Sequence, residues 1–325
     1  MTFYLATFMV FTKSNLCRSE GACSSRAKSL LAVVKTLRSA QGDMCVFVKR
    51  LCKDHMVTFK GLQHMAARFN KFGQAWGKIT DMSNEKEYLP KIAMSIVAHP
   101  DDQDFTVAGT LAKWSKAGCK VISVLITSGD SGSNDVTHGT DHKPVLAKLR
   151  EAEQQAANAV LGISETVFLH YPDGELVASL ALRKDLTRLI RIYKPDVVVT
   201  GDPSGWFYGN EYINHPDHRA AAEAATYAVF PSAGTRLIFT DLLEAGYEPH
   251  NVKRLYIHGA EKSDTWVDIS ETIDTKIEAL KKHVSQTDTH EVDKWMHEWA
   301  KEEGKEKGLE FAEAYKVMIL QKDEK

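Results

Sequence analysis

The sequence predicts an α/β fold: a Rossmann-like, mostly parallel sheet with helices on both faces, followed by a helical C-terminal segment. Three observations carry this expectation. Short strand-like runs rich in apolar residues recur from residue 92 onward, stretches of helical length separate them, and Gly118 and Gly162 fall just past two of those stretches. Apolar runs without polar alternation are typical of strands covered on both faces. Helix-length crossovers between them make neighbouring strands parallel and the connections right-handed.

The elements follow in order. Residues 92–98 form the first strand, and 106–117 a helix stopped by Gly118, a residue suited to the left-handed position after a helix. Residues 120–127 are a second strand, 144–161 a long helix closed by Gly162, and 166–170 a third strand. A helix over 180–193 leads into a fourth strand over 196–200. In the final third, 274–284, 291–303 and 309–320 read as helices whose Glu- and Lys-rich faces are solvated.

The chain has 325 residues, 43% hydrophobic and 26% charged, an ordinary composition for a soluble globular protein with a sizeable core. A net charge of −2 and the lack of a basic stripe argue against nucleic acid or an anionic membrane surface as partner. No run reaches the roughly 18 apolar residues that a membrane span needs. Composition changes near residue 82. Residues 1–81 carry scattered basic residues and four of the five cysteines, Cys17, Cys23, Cys45 and Cys52, with no sustained period. They read as a poorly patterned extension, either disordered or upstream of the true start; 59–72 is at most a short basic amphipathic helix. The functional domain is expected over 82–325. The apolar opening, residues 1–11, lacks a preceding positive region and a convincing cleavage site, so it does not read as an export signal. The cysteine spacings match no common zinc template, and the odd count suits a reducing cytoplasm.

Two clusters carry chemistry. His99-Pro100-Asp101-Asp102 follows directly on the first strand, and ligands of open α/β sheets bind at the carboxyl ends of strands. Two adjacent carboxylates beside a histidine repel each other unless a cation intervenes, and imidazole with carboxylate are usual zinc ligands. The second cluster, Asn214-His215-Pro216-Asp217-His218, precedes an alanine-rich helix former. Pro216 suits a first helical turn, and His215 and His218, three apart, share one side of it. The positive end of that helix also favours a developing oxyanion. Alone, the first cluster reads as a turn and the second as a capped helix start. Together, across an α/β pattern that brings them near each other, they indicate one metal site.

At these residues the sequence is similar to the PIG-L/LmbE family of zinc-dependent N-acetylglucosaminyl deacetylases, over roughly residues 92–320. The resemblance is anchored on Ala98 to Asp102 and Asn214 to Arg219. Supporting it are Ala108-Gly109-Thr110, Lys113-Trp114, residues 127–132, Arg150 to Glu153, Pro172-Asp173-Gly174, Lys276 to His283, Ser285-Gln286 and Ala312-Glu313. It implies one Zn²⁺ per subunit held by His99, Asp102 and His218, with Asp101 as general base toward a metal-activated water. It further implies that His215, oriented by Asp217, stabilises the oxyanion, and that Arg150 and Asp173 approach sugar hydroxyls. From the residues alone, Arg150 equally suits a helix-surface pair with Glu151 or Glu153. The sequence departs from the family's pattern after the Asp-Asp pair, where a glutamate is common and Gln103 and Asp104 stand here.

The implied function is hydrolysis of an N-acetyl group from an amino-sugar-containing small molecule. The alternatives are another amide, such as a thiol conjugate, or a silent sugar- or metal-binding protein; an intact Asp101 speaks against the latter. A two-metal phosphoesterase would need a second ligand set, which His138, His142 and His170 do not form. The 129–133 stretch lacks a phosphate-binding glycine pattern and reads as a rim loop. Trp206, Phe207 and Tyr208 suit stacking on a sugar or plain loop packing. Helical faces near the C-terminus suit packing on the domain itself or in a homo-oligomer.

Overall fold

A computed structural model defines residues 88–321, apart from Asn134 and residues 288–290. The expectations for residues 1–81 therefore lie outside the described residues. The described fold belongs to a compact unit spanning Lys86–Lys325.

Strands β1 (Ile92–Val97), β2 (Lys120–Thr127), β3 (Glu165–Tyr171) and β4 (Val197–Gly201) form the parallel half of a sheet. A two-stranded hairpin follows, β5 (Phe207–Tyr208) with β6 (Tyr212–Ile213). The large sheet continues through β7 (Arg254–His258), β8 (Thr265–Asp268) and β9 (Ala312–Ile319), in the order β3-β2-β1-β4-β7-β9-β8. β7 is parallel to β4; β9 runs antiparallel between β7 and β8.

Alternate strand residues feed two cores, as the period-2 geometry of strands requires. Met94, Ile96, Ile122, Val124, Ile126 and Val198 pack on one face against α4 (Leu180–Tyr193) and α5 (Pro216–Tyr227). Ala93, Val121, Val197 and Val199 pack on the other, against α2 (Ala108–Lys116), α7 (Ile273–Leu280) and α8 (Val292–Lys305). The remaining α-helices of the described residues are α1 (Asp102–Thr106), α3 (Lys143–Leu161) and α6 (Thr240–Glu244). The end of α3 is as expected: Gly162 takes φ 71 in the left-handed region.

Two expectations are corrected. The helix over 106–117 is two helices broken at Val107 (φ −131, ψ 4), and Thr106 Oγ1 donates to Asp102 O at 2.7 Å within α1. The predicted helix over 309–320 is strand β9, so the C-terminal segment is not all helical. Its Ala, Glu and Lys content favours a helix, but Tyr315 and Val317 alternate into the core and pairing on both edges overrides that preference. Strands β7 and β8 also escaped the sequence reading.

The resemblance segments around Lys276 and Glu313 meet in a buried pair. Lys276 Nζ lies 2.6 Å from Glu313 Oε1, both side chains about 5% exposed or less. Glu313 also accepts the backbone N–H groups of Gly109 (2.9 Å) and Thr110 (2.8 Å) in the first turn of α2, and the Tyr315 hydroxyl (2.9 Å). Removing one member of a buried, hydrogen-bonded ion pair strands the other charge. Glu313→Ala is expected to cost about 3–5 kcal/mol of unfolding free energy, measured by urea denaturation; a loss below about 1 kcal/mol, the scale of a surface pair, would contradict this.

Candidate metal centre

From β1 the chain winds to β2 and β3 on one side, then returns to β4 and β7 on the other. The order therefore reverses between β1 and β4, where the carboxyl ends of open sheets leave a ligand crevice. His99 leaves β1, Asp173 follows β3, and His215 to His218 follow β4. His99, Asp101, Asp102, Asp173, His215 and His218 share one cleft of about 370 Å³, with Phe105 and Tyr212 on its wall.

Three donor groups converge there. His99 Nδ1 lies 3.2 Å from His218 Nε2 and 3.5 Å from Asp102 Oδ2, and His218 Nε2 lies 3.0 Å from Asp102 Oδ1. Tetrahedral coordination with bonds of about 2.0–2.1 Å requires donors roughly 3.3 Å apart. The triangle has that size. The His99 backbone N–H holds the Asp102 carboxylate at 2.8 Å.

The other ring nitrogen of His99 faces two more carboxylates, Asp173 Oδ1 at 3.0 Å and Asp217 Oδ2 at 3.3 Å. Both acids are already committed: Asp217 accepts from the N–H groups of Gly174 and Leu176, and Asp173 from that of Ser131. They orient His99 and hold a proton on Nε2, so that in the neutral ring it is the Nδ1 lone pair that faces the triangle, the arrangement usual behind a metal-binding histidine. Burial works against charging His99, yet Asp102, Asp173 and Asp217 together push its imidazole up to about 12. The pocket stabilises positive charge, and these donors fit a cation. Burial likewise opposes ionisation of Asp102, but His218 and His99 hold its carboxyl well below the usual range.

Asp101 stands beside this triangle. Its backbone takes φ 92, a region costing a non-glycine residue about 1–3 kcal/mol and commonly found at working sites. Burial and the neighbouring Asp102 push its carboxyl up to about 6, against the pull of Arg150. Arg150 is 4% exposed and uses its Nη atoms on Asp101 Oδ2 (2.9 Å), Pro100 O (2.7 Å) and Gly129 O (2.8 Å). A surface pair with Glu151 or Glu153 is thereby corrected: those acids bond Ser128 and Ser285 instead. The Asp217 carboxylate lies on His99, 3.3 Å from its Nε2. Only the Asp217 backbone N–H reaches His215, donating to Nδ1 at 3.2 Å and making His215 the cap of α5. Burial and the nearby positive His99 and His218 push His215 down.

Ser131 and Gly132 line the cleft, in keeping with a rim loop. Trp206 and Phe207 are exposed, and the Arg219 guanidinium stacks on Trp206 at 3.2 Å. Sequence reasoning missed Tyr212, although it lies three residues before His215, and also Gln154, one helical turn after Arg150.

Known proteins resemble this chain over the region that carries the cleft. Residues 94–229 match the family model described as PIG-L, GlcNAc-PI de-N-acetylase. The chain is 30% identical over 226 residues to diacetylchitobiose deacetylase of Thermococcus kodakarensis, covering 67% of this chain and 80% of the relative. It is 26% identical over 238 residues to 1D-myo-inositol 2-acetamido-2-deoxy-alpha-D-glucopyranoside deacetylase of Mycobacterium sp. (strain KMS), covering 62% and 75%. The solved N,N'-diacetylchitobiose deacetylase of Pyrococcus horikoshii superposes with a TM-score of 0.67 at 28% identity, covering 76% of this chain and 93% of that one. On this evidence the chain belongs to the PIG-L family of de-N-acetylases.

Proposed function

We propose that this chain is a zinc-dependent deacetylase that hydrolyses the N-acetyl group of an amino-sugar-containing small molecule. One observation carries the reading: three donors at metal-binding separations with a fourth group, the strained acid Asp101, beside them and outside the triangle. Two imidazoles and a carboxylate suit zinc. His99, Asp102 and His218 would hold one ion per chain, which supplies a more acidic water and a polarised amide carbonyl.

The chain's own groups do the rest. Asp101, with a carboxyl held near neutrality, accepts a proton from the attacking water and returns it to the leaving amine. Arg150 fixes its direction. His215 accepts at Nδ1, so its proton resides on Nε2, from which it donates to the amide oxygen as negative charge builds there. Asp173 and Asp217 hold the His99 ring in place. The deacetylase activity is assigned to residues 82–325. Among the described residues, no helix is long and apolar enough to cross a membrane. The cytoplasm is taken as the place of action on the odd, unpatterned cysteine count of the sequence.

The test is a panel of N-acetylglucosamine conjugates, including N,N'-diacetylchitobiose and an inositol-linked form, incubated with the zinc-loaded chain. Free amine and acetate should appear in equal amounts, stop with a chelator and return with zinc. A zinc-loaded chain that releases neither from any member contradicts the proposal.

A further inference from the structure

Behind the turn that carries Asp101 lies a second polar cluster that the reaction above does not use. Gln103, Asp104, Gln154 and His283 are fully buried, and Asn158 nearly so. Burying such groups is costly unless they hydrogen-bond; Asp104 Oδ1 and His283 Nδ1 find no partner among the described residues, while the remaining bonds form a directed chain. His283 Nε2 donates to Asp104 Oδ2 at 3.0 Å, and Gln154 Nε2 donates to the same oxygen at 2.8 Å. Gln154 Oε1 then accepts the backbone N–H of Asp101 at 2.8 Å.

The orientation of the Gln154 amide is set from both ends. Its nitrogen faces two acceptors, Asp104 Oδ2 and Asn158 Oδ1 (3.0 Å), which leaves its oxygen for the Asp101 N–H. Asn158 is fixed in turn by donating to Thr166 Oγ1 and accepting from Gln103, whose oxygen accepts from Ser123. Gln154 and Arg150 lie one turn apart on α3, and they grip the two ends of one residue: Gln154 the backbone of Asp101, Arg150 its carboxylate. His283 comes from just beyond α7, so a segment distant in sequence braces the Asp101 turn through Asp104. Gln103 and Asp104, the departures noted in the sequence, are both members of this cluster.

We propose that Gln154, Asp104 and His283 are positioning residues for Asp101: their hydrogen-bonded chain locks its backbone at positive φ and aims its carboxylate into the cleft. The proposal rests on Asp101 acting as the base, as proposed above. None of the three faces the cleft, so each acts through Asp101 rather than on substrate.

The experiment uses full-length His283→Leu, His283→Gln and Gln154→Met, each metal-loaded for kinetics and metal-free for amide exchange. Misdirecting a catalytic group costs about ten- to a hundredfold in rate. His283→Leu and Gln154→Met should lose that much in kcat, with KM and zinc content kept. His283→Gln, whose amide still donates to Asp104, should regain most of it. NMR hydrogen exchange at the Asp101 amide should quicken in Gln154→Met, which leaves the His283–Asp104 pair intact and keeps the test alive if His283→Leu does not fold. Unchanged exchange at Asp101 overturns the proposal, as does a kcat loss explained wholly by lost zinc. If the wild-type chain releases no amine, the deacetylase reading fails separately, while the exchange result still decides whether the chain holds Asp101.

Discussion

Asp101→Asn is expected to lower kcat by about 10²–10⁴-fold, the contribution of a positioned general base, while zinc content stays at one ion per chain. The substitution keeps the shape of the side chain and an oxygen for Arg150 Nη2, which now lies 2.9 Å from Asp101 Oδ2. What it removes is the capacity to accept a proton. Because Asp101 lies outside the triangle formed by His99, Asp102 and His218, metal affinity should not follow activity. Parallel measurement of turnover and of zinc by atomic absorption separates the two. A variant that loses its zinc would make Asp101 a ligand and overturn the division of labour between the adjacent acids.

Asp102→Ala should behave in the opposite way, losing zinc and activity together. It deletes the carboxylate that closes two sides of the triangle, at 3.5 Å from His99 Nδ1 and 3.0 Å from His218 Nε2, and that caps the His99 backbone N–H. Two imidazoles remain, one donor short of the three that a hydrolytic zinc site uses. The acids behind His99 should have a graded effect. Asp217→Asn keeps an oxygen for Gly174 N–H but weakens the charge facing His99 Nε2. Loss of such outer partners costs about 10–100-fold in metal affinity. Competition with a chromophoric chelator measures all three proteins. Equal affinity for wild type and Asp102→Ala would remove Asp102 from the ligand set.

The sequence made the parallel half of the fold legible and pointed to the residues that line the candidate site. The strands up to β4 are largely apolar, β-branched runs, and those are visible without contacts. β9 was not legible, because Ala312, Glu313 and Lys316 favour a helix and only its neighbours β7 and β8 make it a strand. Within the site, the residues of the two tetrads were apparent because acids and histidines crowded at a strand end and a helix start are costly without a purpose. Their partners were less so. Which carboxylate faces His99 depends on where the loop after β3 lies, and that placed Asp173 and Asp217 on one ring nitrogen. Arg150 stood out as a charged residue, but its target depends on a backbone turn with φ 92 that no local pattern announces. Gln154 and His283 carry no signal of their own until tertiary contacts join them to Asp101.

The most direct measurement is anomalous diffraction at the zinc edge from crystals of the full-length protein. A single peak among His99 Nδ1, the Asp102 carboxylate and His218 Nε2, with Asp101 outside it, is the predicted result. A peak among His99 Nε2, Asp173 and Asp217, or none in zinc-loaded crystals, would contradict it.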